Sequence, residues 1–120
     1  MIAMKRVYEA ADQKDGYRVL VDRLWPRGVS KTRAKLDEWA KAIAPSDDLR
    51  HWYNHDPAKW GEFQRRYANE LDIPEAQPVL DALAKRGKRG RVTLLYSTKE
   101  GPISNAAALM SMLQARAGQR

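Results

Sequence analysis

Val92-Thr93-Leu94-Leu95-Tyr96 is a nearly continuous apolar run, and it limits the architectures open to this chain. A strand with one wet face alternates apolar and polar side chains. A run without alternation belongs to a strand covered on both faces, as in the middle of a parallel sheet. Tyr17 to Val21 supplies a second strand, in which Tyr17, Val19 and Val21 alternate with Arg18 and Leu20, the period of two that a pleated strand gives. Helical patterning separates the two strands. That order predicts an α/β sandwich with a small, mainly parallel sheet covered by helices, and 120 residues are read as a single domain over 1–120.

The remaining elements follow from local signals. Lys5-Arg6-Val7-Tyr8 reads as a short first strand. In 29–44, Leu36, Trp39, Ala40 and Ile43 recur at helical spacing, which argues for a helix, although the stretch can also run partly extended toward Pro45. Ser46 is an N-cap for a short helix through Trp52, with Asp47 and Asp48 at its positive end. Asp56-Pro57 opens another, whose Trp60, Phe63, Tyr67 and Leu71 form a core-facing stripe. Pro78 opens a helix with Val79, Leu80 and Leu83, and Gly87 is expected to close it in the left-handed conformation. Ser104 caps a last helix that turns Ala108, Leu109, Met112 and Leu113 inward.

If the 17–21 and 92–96 strands are parallel, both end on one edge of the sheet. Ligands of open α/β sheets bind outside the carboxyl ends of strands. The segments that follow the two strands, Asp22–Arg27 and 97–105, would then border one crevice. Arg23 and Arg27 offer planar guanidinium forks for phosphate or carboxylate. Asp22 is a candidate base; the plainer alternative is a structural ion pair with Arg23 or another arginine. Trp25 with Pro26 makes a wall for a ring, or core filling. Lys99, Ser104 and Asn105, beside the free N–H groups of the last helix, are the second half of the anion site.

The sequence from Arg6 to Tyr8 and the block Asp15-Gly16-Tyr17-Arg18-Val19-Leu20-Val21-Asp22-Arg23-Leu24-Trp25-Pro26-Arg27-Gly28 resemble the YeaO-like bacterial family, domain of unknown function 488. Further matches are Leu36-Asp37-Glu38-Trp39, Ala44-Pro45-Ser46, Leu49-Arg50, His55-Asp56-Pro57, Trp60 with Phe63, Tyr67 with Glu70-Leu71, and Thr93-Leu94-Leu95-Tyr96. The likeness spans nearly the whole chain. It implies a fold and a set of relatives without an established biochemical activity. One departure stands out: after the Leu-Leu-Tyr strand end the family carries a histidine, whereas here Ser97 to Ala106 contains none. Acid–base work by that histidine is therefore closed to this chain.

Composition narrows the partners. With no cysteine, disulfides, thiol nucleophiles and cysteine-bound metal are excluded. No apolar run approaches the ~18 residues of a membrane span, and the chain is read as cytoplasmic, without membrane contact. The net charge of +7, from 22 basic and 15 acidic side chains, favours anionic partners. Lys85, Arg86, Lys88, Arg89 and Arg91 crowd into seven residues. They would contact nucleic-acid phosphates, or simply suit the negative end of a helix. His51 and His55 have the i, i+4 spacing of metal ligands, yet no third ligand is apparent and no metal or cofactor is expected. His55 stands with Asp22 as a candidate proton carrier.

The sequence therefore predicts a small protein with a crevice for an anionic metabolite. A nucleic-acid module using 85–91 is the alternative, and a non-enzymatic partner-binding protein is the third reading.

Overall fold

The computed structural model of the protein describes residues 1–118. Four strands, β1 (Ile2–Arg6), β2 (Tyr17–Leu20), β3 (Glu38–Trp39) and β4 (Val92–Tyr96), form one sheet in the order β1-β4-β2-β3. All three pairings are parallel. Five α-helices complete the fold: α1 (Lys31–Ala34), α2 (Asp47–Tyr53), α3 (Trp60–Leu71), α4 (Gln77–Arg89) and α5 (Asn105–Gly118). The α/β architecture is the one the strand pattern demands.

Every residue of β4 is buried, because β4 lies between β1 and β2 with side chains on two covered faces. Val92 and Leu94 join Val19 and Val21 in the larger core, with Phe63, Tyr67, Leu80, Leu83 and Leu109 from the helices. Leu95 and Leu20 point the other way, into a smaller cluster with Val7, Val29 and Ala34. On that second face Arg18 is also buried. Its guanidinium donates to the Asp15 carboxylate and to the Ala34 carbonyl, while Lys5 Nζ lies 3.2 Å from Asp15. An unpaired buried charge costs several kcal/mol, so these partners are what make Arg18 tolerable there.

The 29–44 stretch corrects the helical expectation. Only Lys31–Ala34 is α-helical, with a separate 3-10 turn at Lys41–Ile43, and Lys35 leaves the α-helix in the left-handed conformation at φ 48°. Arg18 draws in the Ala34 and Lys35 carbonyls, and its backbone N–H donates to Asp37 at 2.8 Å. The chain is thereby pulled alongside β2 as β3. Leu36 and Trp39 pack in the smaller cluster, whereas Ala40 and Ile43 enter the larger one. A helix-like spacing thus serves two separate cores.

Two further expectations are revised. The first strand begins at Ile2 rather than Lys5, since the β4 register pairs Ile2 with Val92 and Arg6 with Tyr96. Gly87 does not end its helix, which continues to Arg89 and stops at Gly90. A Cβ on Gly87 would come within 2.4 Å of Ile2 Cδ1, so glycine lets the helix approach the sheet. The caps predicted at Ser46 and Ser104 are present: Ser46 Oγ accepts from Leu49 N–H and Ser104 Oγ from Ala107 N–H, each at 3.1 Å.

Candidate functional site

β2 and β4 lie side by side, so their carboxyl ends open on one edge. There a cavity of about 490 Å³ is lined by the 22–27 segment, the end of α2, Ser97, Thr98 and Asn105. Its position follows from the sheet: past Leu20 and Tyr96 the strands stop pairing, and the outgoing segments separate.

Asp22 holds this edge together. Its Oδ2 accepts from both the backbone N–H and the hydroxyl of Ser97, each at 2.9 Å. Its backbone carbonyl accepts from the Trp39 indole at 2.8 Å, and Asn105 Nδ2 donates to the neighbouring Val21 carbonyl at 3.0 Å. Burial raises the Asp22 pKa above the ordinary carboxyl value, against the opposing help of Ser97, Asn105 and the Arg50 charge. Among the described residues Asp22 makes no ion pair, which corrects the structural-pair alternative. Arg23 instead donates Nε to the Pro45 carbonyl at 3.0 Å.

Trp25 belongs to both wall and core. It lines the cavity, yet its indole donates to the Val29 carbonyl at 2.6 Å and its ring meets Trp39 edge-on at 5.3 Å. Arg27 is exposed at the wall, and its backbone carbonyl accepts from the Tyr8 hydroxyl at 3.1 Å. Gly28, at φ 78°, turns the chain away.

The facing wall comes from α2. Arg50 and His51 lie in its last turn, and Asn54 and His55 follow with φ of 45° and 52°. Two successive non-glycine residues in the left-handed region are uncommon and cost energy. They carry His55 to the cavity wall rather than leaving it one helical turn beyond His51. Tyr53, between them, stacks on Phe63 at 4.0 Å and donates its hydroxyl to the Ile103 carbonyl at 2.7 Å. Desolvation pushes the Tyr53 pKa up to about 12, so it remains a neutral donor. Among the described residues no three His, Cys, Asp or Glu side chains are grouped to hold a metal ion.

The cavity wall thus includes Asp22, Arg23, Trp25, Arg27, His55 and Asn105. Lys99 is exposed and outside it, and Ser104 is fully buried, its hydroxyl donating to the Gly101 carbonyl at 2.7 Å. Tyr8, Arg50, His51 and Asn54 are additional wall residues. The short capped helix after Pro45 was the signal for Arg50, His51 and Asn54, but only the fold brings its end over this edge of the sheet.

The basic segment lies at the opposite edge, where β2 and β4 begin. Arg86, Arg89 and Arg91 border a shallow groove with Tyr17 and Asp37. The Arg86 guanidinium sits 3.8 Å from the Tyr17 ring centroid. Lys85 and Lys88 are exposed on the same helix end.

The sequence model of the inactive DUF488-N3 subclade matches residues 1–120. The chain belongs to the DUF488 family. The "Uncharacterized protein YeaO" of Escherichia coli K12 is 43% identical to it over 113 residues, covering 94% of this chain and 96% of its own. Uncharacterised proteins of Mycobacterium bovis (Mb3100c) and Mycobacterium tuberculosis H37Rv (Rv3073c) are 42% identical over 115 residues, 96% of this chain and 95% of theirs. No solved structure matches this DUF488 chain. Among the described residues, no helix is long and apolar enough to cross a membrane.

Proposed function

We propose that this DUF488 protein binds a small anionic metabolite, a phosphate or carboxylate, in the cavity at the carboxyl ends of β2 and β4. One observation carries the reading: Arg23 and Arg27 line the cavity without a carboxylate partner among the described residues, although Asp22 is their near neighbour in sequence. Anchoring of Arg23 through Nε to Pro45 leaves its two terminal nitrogens for a ligand. Arg50 adds charge from the other side. In this reading Asn105 and Trp25 shape the wall, Ser104 fixes the turn that presents Asn105, and Lys99 adds only to the field outside.

Binding without turnover agrees with the subclade's description as inactive and with the absence of histidine from the 97–106 loop. Should turnover occur, Asp22 and His55 are the groups to move a proton. A thermal-shift screen of phosphorylated and carboxylated metabolites tests the reading. A ligand should raise the melting temperature of the wild type and lose that effect in Arg23→Ala and Arg27→Ala. Ligands that stabilise both variants as they do the wild type would rule the site out.

The groove at the other edge supports a second reading, contact with nucleic-acid phosphates through Lys85, Arg86, Lys88, Arg89 and Arg91. Arg91 lies past the end of α4, so the helix dipole does not account for it. Binding to a duplex that falls steeply with salt, and fails when Lys88, Arg89 and Arg91 are neutralised, would favour this reading.

A further inference from the structure

The cavity contains a single acidic side chain, Asp22, against Arg23, Arg27, Arg50, His51 and His55. A site built only for a simple anion has no use for that carboxylate. An ionised Asp22 in a space of about 490 Å³ would repel any anion that filled it. Asp22 is nonetheless held in a defined place by Ser97, and both Ser97 donors fall on Oδ2. The Asn105 side chain also favours the charged Asp22 carboxyl, but its Nδ2 donates to the Val21 carbonyl at 3.0 Å, and Oδ1 accepts no direct hydrogen bond of normal distance and angle among the described residues. It is not sealed in the core either, since no buried side-chain oxygen there lacks a partner. Asp22 lines the cavity, so Oδ1 is its acceptor with capacity left for a donor.

Trp25, Tyr53 and Phe63 also line the cavity, but Tyr53 and Phe63 are only 3% and 1% exposed, whereas Trp25 is half-buried. Tyr53 and Phe63 are stacked nearly parallel, 15° apart, and Trp25 is braced against Trp39. Of the three, the Trp25 ring is the one left to meet a flat carbon body.

We infer that the ligand is bipolar: an anionic head held by Arg23 and Arg27, a flat body against Trp25, and a hydrogen-bond donor, an amine or ring N–H, received by Asp22 Oδ1. This rests on the anion reading above and names the ligand class it leaves open. The donor converts Asp22 from a source of repulsion into a selector. A site that holds an acceptor in place for a ligand donor discriminates against an analogue that lacks that donor.

Calorimetric titration with benzylphosphonate and its 3-amino and 4-amino derivatives tests this directly. The better amino isomer should bind the wild type at least about tenfold more tightly than benzylphosphonate, the effect expected of one hydrogen bond to a charged acceptor. Asp22→Asn should erase that preference, so that benzylphosphonate and its amino isomers bind the variant alike. Equal affinity of the wild type for benzylphosphonate and both amino isomers overturns the inference and leaves the anion site standing. Binding of none of the probes overturns both. If Asp22→Asn does not fold, the wild-type ratio decides alone.

Discussion

Asp22 Oδ2 accepts two hydrogen bonds from Ser97, one from its N–H and one from its hydroxyl, both at 2.9 Å. The residues follow adjacent parallel strands, so this contact sets the spacing of the two segments that flank the cavity. Ser97→Ala removes one donor from a carboxylate already short of solvent. We expect a loss of about 1.5–3 kcal/mol, typical of hydrogen bonds to charged groups, measured by urea denaturation at pH 7.

Asp22 and Asp15 should respond oppositely to pH. Burial raises the Asp22 pKa, so the stability it contributes when neutral is complete below the unfolded value of about 3.9 and is lost as pH rises through its folded value. Asp22→Asn should therefore gain on wild type as pH rises above about 4. At Asp15 burial also pushes upward, but the Asp12 N–H, Lys5 and Arg18 outweigh it and hold the pKa below the ordinary value. Its contribution is present above the unfolded value and disappears as pH falls through the folded one. Denaturation curves should show Asp22→Asn gaining on wild type as pH rises above about 4, and the deficit of Asp15→Asn shrinking as pH falls below about 4.

Asp15→Ala would strand the buried Arg18 guanidinium. Breaking such a pair typically costs about 3–5 kcal/mol. Arg65→Ala, which removes an exposed pair with Glu62, should change stability by less than about 1 kcal/mol. Comparable losses in the two variants would show that the Asp15–Arg18 contact does not hold the second face.

Two glycines in positive-φ conformations should differ in their tolerance. A Cβ on Gly16 would stand 2.2 Å from the Arg91 carbonyl oxygen, whereas one on Gly28 would meet nothing within 4 Å. Gly28→Ala should cost about 1–2 kcal/mol, the left-handed penalty alone. Gly16→Ala adds a backbone collision to that penalty and should lose appreciably more. Thermal denaturation ranks them, and an equal cost would contradict the close approach of Gly16 to Arg91.

How much the sequence disclosed depends on whether one element alone determines a residue's place. Val92–Tyr96 is covered on both faces, so its composition announces its position; β2 is nearly as plain. From these two strands the side of the fold bearing Asp22, Arg23 and Arg27 could be inferred. Leu36, Trp39, Ala40 and Ile43 were not legible because two cores share them, with Arg18 bending the backbone between. Arg50, His51 and Asn54 were hidden for a related reason: nothing local says that the end of α2 lies over β2 and β4. The loop around Lys99 and Ser104 was legible as a helix start, but which of its side chains lines the cavity is settled by packing. There Asn105 is at the wall and Ser104 is buried beneath it.

The central claim is that Arg23 and Arg27 hold an anion at the carboxyl ends of the strands. Calorimetric titration of benzylphosphonate into the wild type, Arg23→Ala and Arg27→Ala tests it most directly. The account predicts saturable binding to the wild type, weakened at least about tenfold in each variant, as expected for loss of a charge-assisted contact, with folding intact by circular dichroism. Undiminished binding by both folded variants, or a loss produced instead by neutralising Arg89 and Arg91, would contradict it.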